Sequence, residues 1–484
     1  MNIKSLLASL IPPILNPSTW FSPFESVNPS PRRGLVPGYA PTDAKRELTP
    51  SVRKEQVRKA RYLHKNSGFV RELVGNMALY ATGDGIRVQA QSGNADWNRA
   101  AEEYFELWSA GCEVTGRFSF EECQGLVCRG IDIDGEYFVH KTRDEHGEPR
   151  IQLIESHRVT DDYSKSGSTD GVVLNAYGAP VAYRVKQDDE TFLDLPAQAV
   201  LHIYEPEWAS AVRAHPSIQH SINHILDEIE LIALEKHAVK DNADVARTIT
   251  TERGSIDDNG DFVLTGESAE IDPSDPVKLQ EIVGGKMVVL KPGEKLESYQ
   301  PNRPSPTFTG FLEHIRRDAA LGVLPFEFAA DSSKVGGAGV RLVVAKADRR
   351  FSYRQMIIER RMIRPVWMYV IGDAINRGLL QPVAGWWKMS TVPPRRITVD
   401  AGREAQQNRA DVETGLKTLT DHYNELGTTL AKEIDRRGQD AKLILETAEK
   451  YGVPIDMLWK PNGMTVTSNL PDEPPLPAQQ PAGR

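Results

Sequence analysis

The stretch SPTFTGFLEHIRRDAALG (Ser305–Gly322) is followed, after a short interval, by VGGAGVR (Val335–Arg341) and then by LVVAKADRRFSYRQMIIERRMIR (Leu342–Arg364). In the first and third segments apolar residues recur every three to four positions, as on one side of a helix. The small residues between them predict a loop. At about 100° per residue, Lys346, Arg349, Arg350, Arg354, Arg360, Arg361 and Arg364 fall to one side of the third segment. Val344, Ala347, Phe351, Ile358 and Met362 make an adjoining apolar stripe. Two readings of the basic side stay open: a salt-bridged face against an acidic neighbour, such as another subunit, or a phosphate contact aided by Lys334 and Arg341.

The glycine patch decides between an enzyme and a binding or structural protein. GGAGVR has no Lys-Ser/Thr pair to reach phosphates and hold magnesium; read as GxG it lacks the third glycine of GxGxxG, and no clear strand stands just before it. We therefore read Val335, Gly336, Gly337, Ala338 and Gly339 as a mobile loop in which the glycines supply flexibility and small bulk. His220 and His224 stand at i, i+4 with Asp227 and Glu228 next, a spacing zinc accepts. No HExxH accompanies them, and an exposed polar face accounts for them equally well. There is no GxSxG elbow, and Asp257–Asp258 sits in turn-rich acidic text. No catalytic constellation, metal site or cofactor is expected.

Upstream of the opening stretch, Pro216 is placed to open a helix. Apolar residues then fall at Ile218, Ile222, Ile225, Ile229, Ile232, Val239, Ala243 and Ala246. The period is near 3.5, that of a helix packed lengthwise on a neighbour, and about 30 residues make a rod of roughly 45 Å. Residues 248–304 are acidic and turn-rich, with 11 Asp and Glu against six Lys and Arg. The layout is a rod going out, a compact insert, and a helix coming back.

Earlier in the chain, residues 48–66, 69–86 and 95–110 read as helices. From Ile131 the period drops to two, and IDGEYFVHKTR, PRIQLIES, GVVLNAYGAPVAYRVKQ and AVLHIYEP read as strands of an antiparallel sheet on those helices, an α+β unit. After Arg364, Pro365 marks a kink or an end of the basic helix. WWKMSTVPPRRITVD (386–400) reads as a strand and a crossing, and Gly402–Tyr451 as three helices. The first 40 residues carry seven prolines and suggest an extended arm.

The 484 residues exceed a single core and predict two to four units. A net charge of −9 argues against a chain that coats nucleic acid non-specifically and leaves local DNA contact open. Cys112, Cys123 and Cys128 fit neither a zinc ribbon nor a CxxC pair and read as reduced thiols. The apolar run near the N-terminus is interrupted by two prolines and reads as no signal peptide, and no stretch reaches the ~18 apolar residues of a membrane span.

The order of motifs from about Pro31 to Trp459 resembles the lambda-type portal proteins of tailed bacteriophages. The matching text includes RKARYLHKNSGFVRELVGNMALYATGDGIRVQ (58–89), WNRAAEEYFELWSA (97–110), the DGE of Asp134–Glu136, and IQLIESHRV (151–159). RAHP (213–216) stands where the family tends to have Arg-Gly-x-Pro, with Ala214 replacing the glycine. LKPGE (290–294), Asp331 to Arg341, and ITVDAGREAQQNRADVETGL (397–416) complete the set. One departure is that the family's Asn-Tyr-Ser-Ser-like run is replaced by Gly336–Gly339, with Arg341 retained, so the hydroxyls are gone.

The resemblance implies a portal fold. Its parts would be an arm at 1–41, a wing at 42–215, a stem helix at 216–247, a clip at 248–304 and a second stem helix at 305–322. A tunnel loop (328–341) and long wing helix would fill 323–401, a helical crown 402–462 and a disordered tail 463–484. It implies a ring, typically of twelve copies, at one capsid vertex of the virion, assembled in the host cytoplasm. A separate terminase would pump double-stranded DNA through the channel; the major capsid protein and head-completion or tail connector proteins would be further partners, with no membrane and no enzymatic activity. Tunnel-loop residues would be Lys334–Gly339 and Arg341, with Lys346, Arg350, Arg354 and Arg361 as subunit or DNA contacts. The competing readings are a phage DNA-processing hydrolase and a minor capsid or scaffold adaptor without a channel.

Overall fold

A computed structural model describes residues 42–162, 167–244, 306–331, 333, 335–397, 401–455 and 458, and four two-residue strands between 248 and 289. The arm at 1–41, most of the insert at 248–304, Lys334 and the tail at 463–484 lie outside the described residues.

The chain opens with a helical layer: α1 (Ala44–Glu47), α2 (Pro50–Asn66), α3 (Gly68–Ala81), α4 (Ala95–Ser109) and α5 (Phe120–Asp134). Local chemistry sets the boundaries. Thr49 caps α2, whose first residue is Pro50, where a missing N–H costs nothing. Ser67 ends α2 and caps α3. Ser119 and Glu122 form a reciprocal capping box at the start of α5. The expected strand beginning at Ile131 starts five residues later, because α5 runs through Asp134. It stops at Gly135 (φ +88°), where a Cβ would stand 2.3 Å from the carbonyl carbon of His215.

Two antiparallel sheets follow where one was expected. β2 (Glu136–Arg143) lies between β3 (Pro149–Glu155) and β8 (Val200–Tyr204). β4 (Ser168–Thr169), β5 (Val172–Leu174), β6 (Pro180–Lys186) and β7 (Phe192–Pro196) make a separate four-stranded sheet in sequence order. Pleating explains the sandwich. Tyr137 and Val139 face the helices and join the main core, while Phe138 faces the second sheet and packs with Tyr183, Val185 and Leu195.

Beyond β8 a 3₁₀ turn, Gln219–Ser221, leads into α6 (Ile222–Asp244). The helix expected from Pro216 therefore begins six residues later. Ser217 is held back by an N–H bond to the carbonyl of Asp132, 3.1 Å away. In the insert, β9 (Thr248–Ile249) pairs in parallel with β12 (Val288–Val289), and β10 (Ser255–Ile256) antiparallel with β11 (Phe262–Val263). The return helix is α7 (Pro306–Ala320), followed by the single turn α8 (Phe326–Ala329) and α9 (Gly337–Ile358).

The loop expected over Val335–Arg341 is thus largely helical: Gly337, Ala338, Gly339 and Arg341 lie in the first turns of α9. The break at Pro365 also resolves differently. A π-helical turn, Glu359–Ile363, precedes α10 (Arg364–Asn376), and the helix continues. Proline has no N–H for the carbonyl of Arg361, and the widened turn absorbs that gap.

β13 (Met389–Val392) returns to pair with β1 (Arg87–Ala90), antiparallel, tying the two ends of the core together. The main core runs from α2–α5 through Trp367, which is fully buried, to Met389. The helices α11 (Ala401–Glu413), α12 (Leu419–Glu425) and α13 (Leu430–Tyr451) complete the chain.

Candidate functional site

The candidate site is the α6/α7 hairpin with the segment that follows it into α9. The root of the hairpin is buried: Ile222, Ile225, Ala319, Ala320, Val323 and Leu324 all enter the main core. Arg316 on α7 donates to the buried Glu228 on α6 at 2.6 Å, which ties the two helices together near that root. Further out the apolar positions are exposed, with Leu234 58%, Phe311 52% and Val239 42% accessible. Among the described residues of the period-3.5 seam, Ile218, Ile222 and Ile225 are buried, Ile229 and Ile232 half-buried and Val239 exposed.

The basic residues of α9 separate into two groups, and burial does the sorting. Arg354 was expected on a contact face; instead it is sealed in the core, 1% exposed. It donates to Asp132 at 2.7 Å, to the Cys128 carbonyl at 3.2 Å and to Glu205 at 3.3 Å. Burial works against its charge, but Asp132 outweighs that and holds the guanidinium above its ordinary pKa. Arg350 turns back past the end of α7, donating to the carbonyls of Gly322 (2.6 Å) and Val323 (3.2 Å) in the turn that follows the helix. Arg361 lies over the Tyr204 ring, 4.1 Å from its centre, and reaches the His202 carbonyl. These three hold the chain to itself. Arg341, Lys346 and Arg349 are exposed on the N-terminal part of α9.

Behind the hairpin lies a buried ionic cluster that sequence reading missed as a unit. Glu136, the last residue of DGE, is fully buried. It accepts from Arg213 Nε (2.8 Å) and Nη2 (2.5 Å), Ser156 Oγ (2.8 Å), His202 Nε2 (2.8 Å) and the Ala214 N–H (3.1 Å). Arg53 from α2 completes it, bonded to Ser156 at 2.9 Å and paired with Asp170 through two nitrogens. Burial alone would raise the Glu136 carboxyl; Arg213 and the His202 hydrogen bond override it and hold the group far below the usual range. Burial lowers the His202 pKa, and because the ionised Glu136 can only accept, the ring donates its Nε2–H to it. DGE and RAHP, far apart in sequence, are thus two halves of one clamp between β2 and the segment that leads into α6.

His220 sits on the 3₁₀ turn against Gly322, and His224 is exposed on α6. Among the described residues no three His, Cys, Asp or Glu are grouped to hold a metal ion, and no helix is long and apolar enough to cross a membrane. The cysteines are free and buried. Burial pushes the Cys128 thiol up to about 12, which makes it a poor nucleophile.

The comparisons with known proteins bear on this arrangement directly. No curated protein sequence matches the chain. Among solved structures, the neck of a native gene transfer agent particle computed with C12 symmetry is similar at 14% identity and a TM-score of 0.44, covering 78% of this chain and 94% of that one. The neck of the empty particle computed with C6 symmetry gives 15% and 0.42, with 78% and 94% covered. The virion of the native particle gives 13% and 0.38, with 77% and 93% covered. The model of the phage portal protein, lambda family, matches residues 39–355, which take in the first helices, both antiparallel sheets, the hairpin and most of α9, and so the chain belongs to the lambda family of phage portal proteins.

Proposed function

We propose that this portal protein works as a ring, of about twelve copies as in the family, at one vertex of a virion capsid. Double-stranded DNA enters through the ring's channel, driven by a separate terminase, and later leaves by the same route. Head-completion or tail connector proteins dock on the ring, and the major capsid protein surrounds it. In this reading residues 42–215 are the wing, 216–247 and 305–322 the stem and 248–304 the clip. Residues 323–401 supply the tunnel segment and long wing helix, and 402–462 the crown.

The observation that carries the site assignment is the division of α9. Its N-terminal part exposes Lys346 and Arg349, while Arg350, Arg354 and Arg361 are spent on internal anchoring. A firmly anchored helix with a cationic, glycine-started tip suits a contact that touches passing phosphates without gripping them. Lys334–Gly339 with Arg341 would form that tip. The chain's net charge of −9 suits a conduit in which attraction stays local. The function is structural, with no reaction assigned to any residue.

Negative-stain microscopy of the purified chain should show rings of uniform symmetry. Deleting Gly336–Gly339 should leave those rings intact but reduce DNA packaged or retained. Normal packaging by the deletion variant would remove the tunnel assignment, and a strictly monomeric wild type would remove the ring.

A further inference from the structure

Three cations gather where α2, α3 and α5 meet. Lys65 stands in the last turn of α2, Arg71 in the first turn of α3 and Arg129 on the outer side of α5, and the three helices pack on one another. The Arg61–Asp134 bond, at 2.8 Å, fixes α2 along α5 one turn before Lys65 and five residues after Arg129. Beside all three lies the half-buried ring of His64. Burial, and then Arg71, Arg129 and Lys65, hold its pKa below the ordinary value; the charges that act on it are all cationic.

Lys65, Arg71 and Arg129 are exposed. Among the described residues none of the three has an ion-pair or side-chain hydrogen-bond partner. Their neighbours differ: Arg58 is paired with Glu55, and Arg61 with Asp134 and Glu155. The carboxylates closest in sequence are turned elsewhere. Glu72 stands about 100° around α3 from Arg71 and lines the groove against the hairpin with Glu228. Glu122, two turns before Arg129, accepts from the Ser119 N–H in the capping box.

We infer that Lys65, Arg71 and Arg129 form a second contact for the phosphate backbone of duplex DNA, carried by helices other than α9. The duplex is taken from the portal reading above, on which the inference rests. Three like charges held together repel one another, and no nearby carboxylate of the chain is turned to relieve them. A polyphosphate relieves them and sheds condensed counterions as it does so. The contact is with backbone, so it is blind to base sequence. Three charges on a chain of net charge −9 attract locally and weakly, which lets a duplex move across them.

The test measures binding of a fluorescent duplex of about 20 base pairs to the full chain, by anisotropy between about 50 and about 200 mM salt. Lys65→Ala with Arg71→Ala and Arg129→Ala should bind about 10- to 100-fold more weakly at the lower salt. The slope of log affinity against log salt should shrink by about 2–3, the share of three phosphate contacts. Lys65→Arg with Arg71→Lys and Arg129→Lys, which keeps every charge, should bind like wild type. Duplexes of unrelated sequence should show the same losses. An alanine triple with wild-type affinity and slope would overturn the inference. So would poly-glutamate displacing the duplex at equal charge, which would point to an acidic protein instead. Should the alanine triple fail to fold, the wild type decides. Saturating duplex should protect Lys65 from acetylation by an N-hydroxysuccinimide ester and leave Lys442, exposed on α13, labelled as before. Equal labelling of Lys65 with and without duplex would count against the contact. A wild type that never forms rings would instead sink the portal reading, whereas rings with unaltered duplex binding in the alanine triple would sink this contact alone.

Discussion

Arg213 donates through Nε and Nη2 to the same carboxylate oxygen of Glu136, at 2.8 and 2.5 Å, with both side chains closed off from solvent. The pair joins the strand that leaves the Gly135 turn to the segment that enters α6. The Phe138 ring lies 5.3 Å from the guanidinium. Arg53, Asp170 and Ser156 extend the clamp to α2 and to the second sheet.

Removing one member should cost more than removing the pair. Arg213→Ala leaves a desolvated carboxylate with less compensation, and the expected loss is about 3–5 kcal/mol. Arg213→Met combined with Glu136→Leu should lose less, because no charge is stranded. Thermal unfolding at one fixed protein concentration compares them, since association shifts the midpoint. An Arg213→Ala variant that melts like wild type would show the clamp to be dispensable.

The same cluster predicts a pH dependence in which two groups on one contact act in the same direction, each losing stability as pH falls. Burial depresses His202, so below about pH 6.5 the unfolded chain takes up a proton that the folded one refuses, and stability falls. Glu136 is depressed as well, so its contribution is complete above about pH 4.5 and shrinks only as pH drops below that. Between pH 7.5 and 5.5 the unfolding midpoint should therefore decrease, and His202→Gln, which keeps a donor for Glu136, should flatten part of that slope. A slope unchanged in His202→Gln would assign it to other histidines, such as His64 and His140, which burial also lowers.

Much of this architecture was legible from pattern. The alternation in YFVH, the helical spacing of Leu73 and Met77, and the out-and-back layout around the acidic insert all correspond to elements of the fold. The α5 helix was missed although Ser119 and Glu122 offered a capping-box signal, because the alternation of Ile131, Ile133 and the residues after them read as a strand, and Gly125 and Gly130 lower helix propensity across its middle. Missing α5 also hid the partner of Arg354. Periodicity places Arg354 on a charged side, and only Asp132 on the packed helix turns that side inward. Ion pairs between distant segments leave no local signature, so the Glu136 cluster could be seen only in two motifs whose spatial meeting was not in the text.

Gly135→Ala offers a test confined to the backbone. The residue has φ +88°, and an added methyl would meet the His215 carbonyl carbon at 2.3 Å, so the left-handed strain is joined by a clash with rigid main chain. Destabilisation of about 2–4 kcal/mol is expected, read as a lower melting midpoint. Gly336→Ala, where a Cβ meets nothing within 4 Å, should change stability little and serves as the control.

The division of α9 gives the sharpest contrast between anchoring and contact. Arg354→Ala empties a fully buried site and strands Asp132, so a loss of about 3–5 kcal/mol and poor recovery of folded protein are expected. Arg350→Ala removes two bonds to carbonyls past the end of α7; a smaller loss of about 1–2 kcal/mol should accompany faster amide exchange in the last turn of that helix. Lys346→Ala and Arg349→Ala, at exposed positions, should leave the melting midpoint within about 0.5 kcal/mol of wild type. If α9 contacts DNA, the second pair should nevertheless lower packaged DNA in a packaging assay, with the effect enlarged for Lys346→Glu. The opposite pattern, in which Arg354→Ala is stable and Lys346→Ala unfolds, would mean that burial has been assigned to the wrong side of the helix.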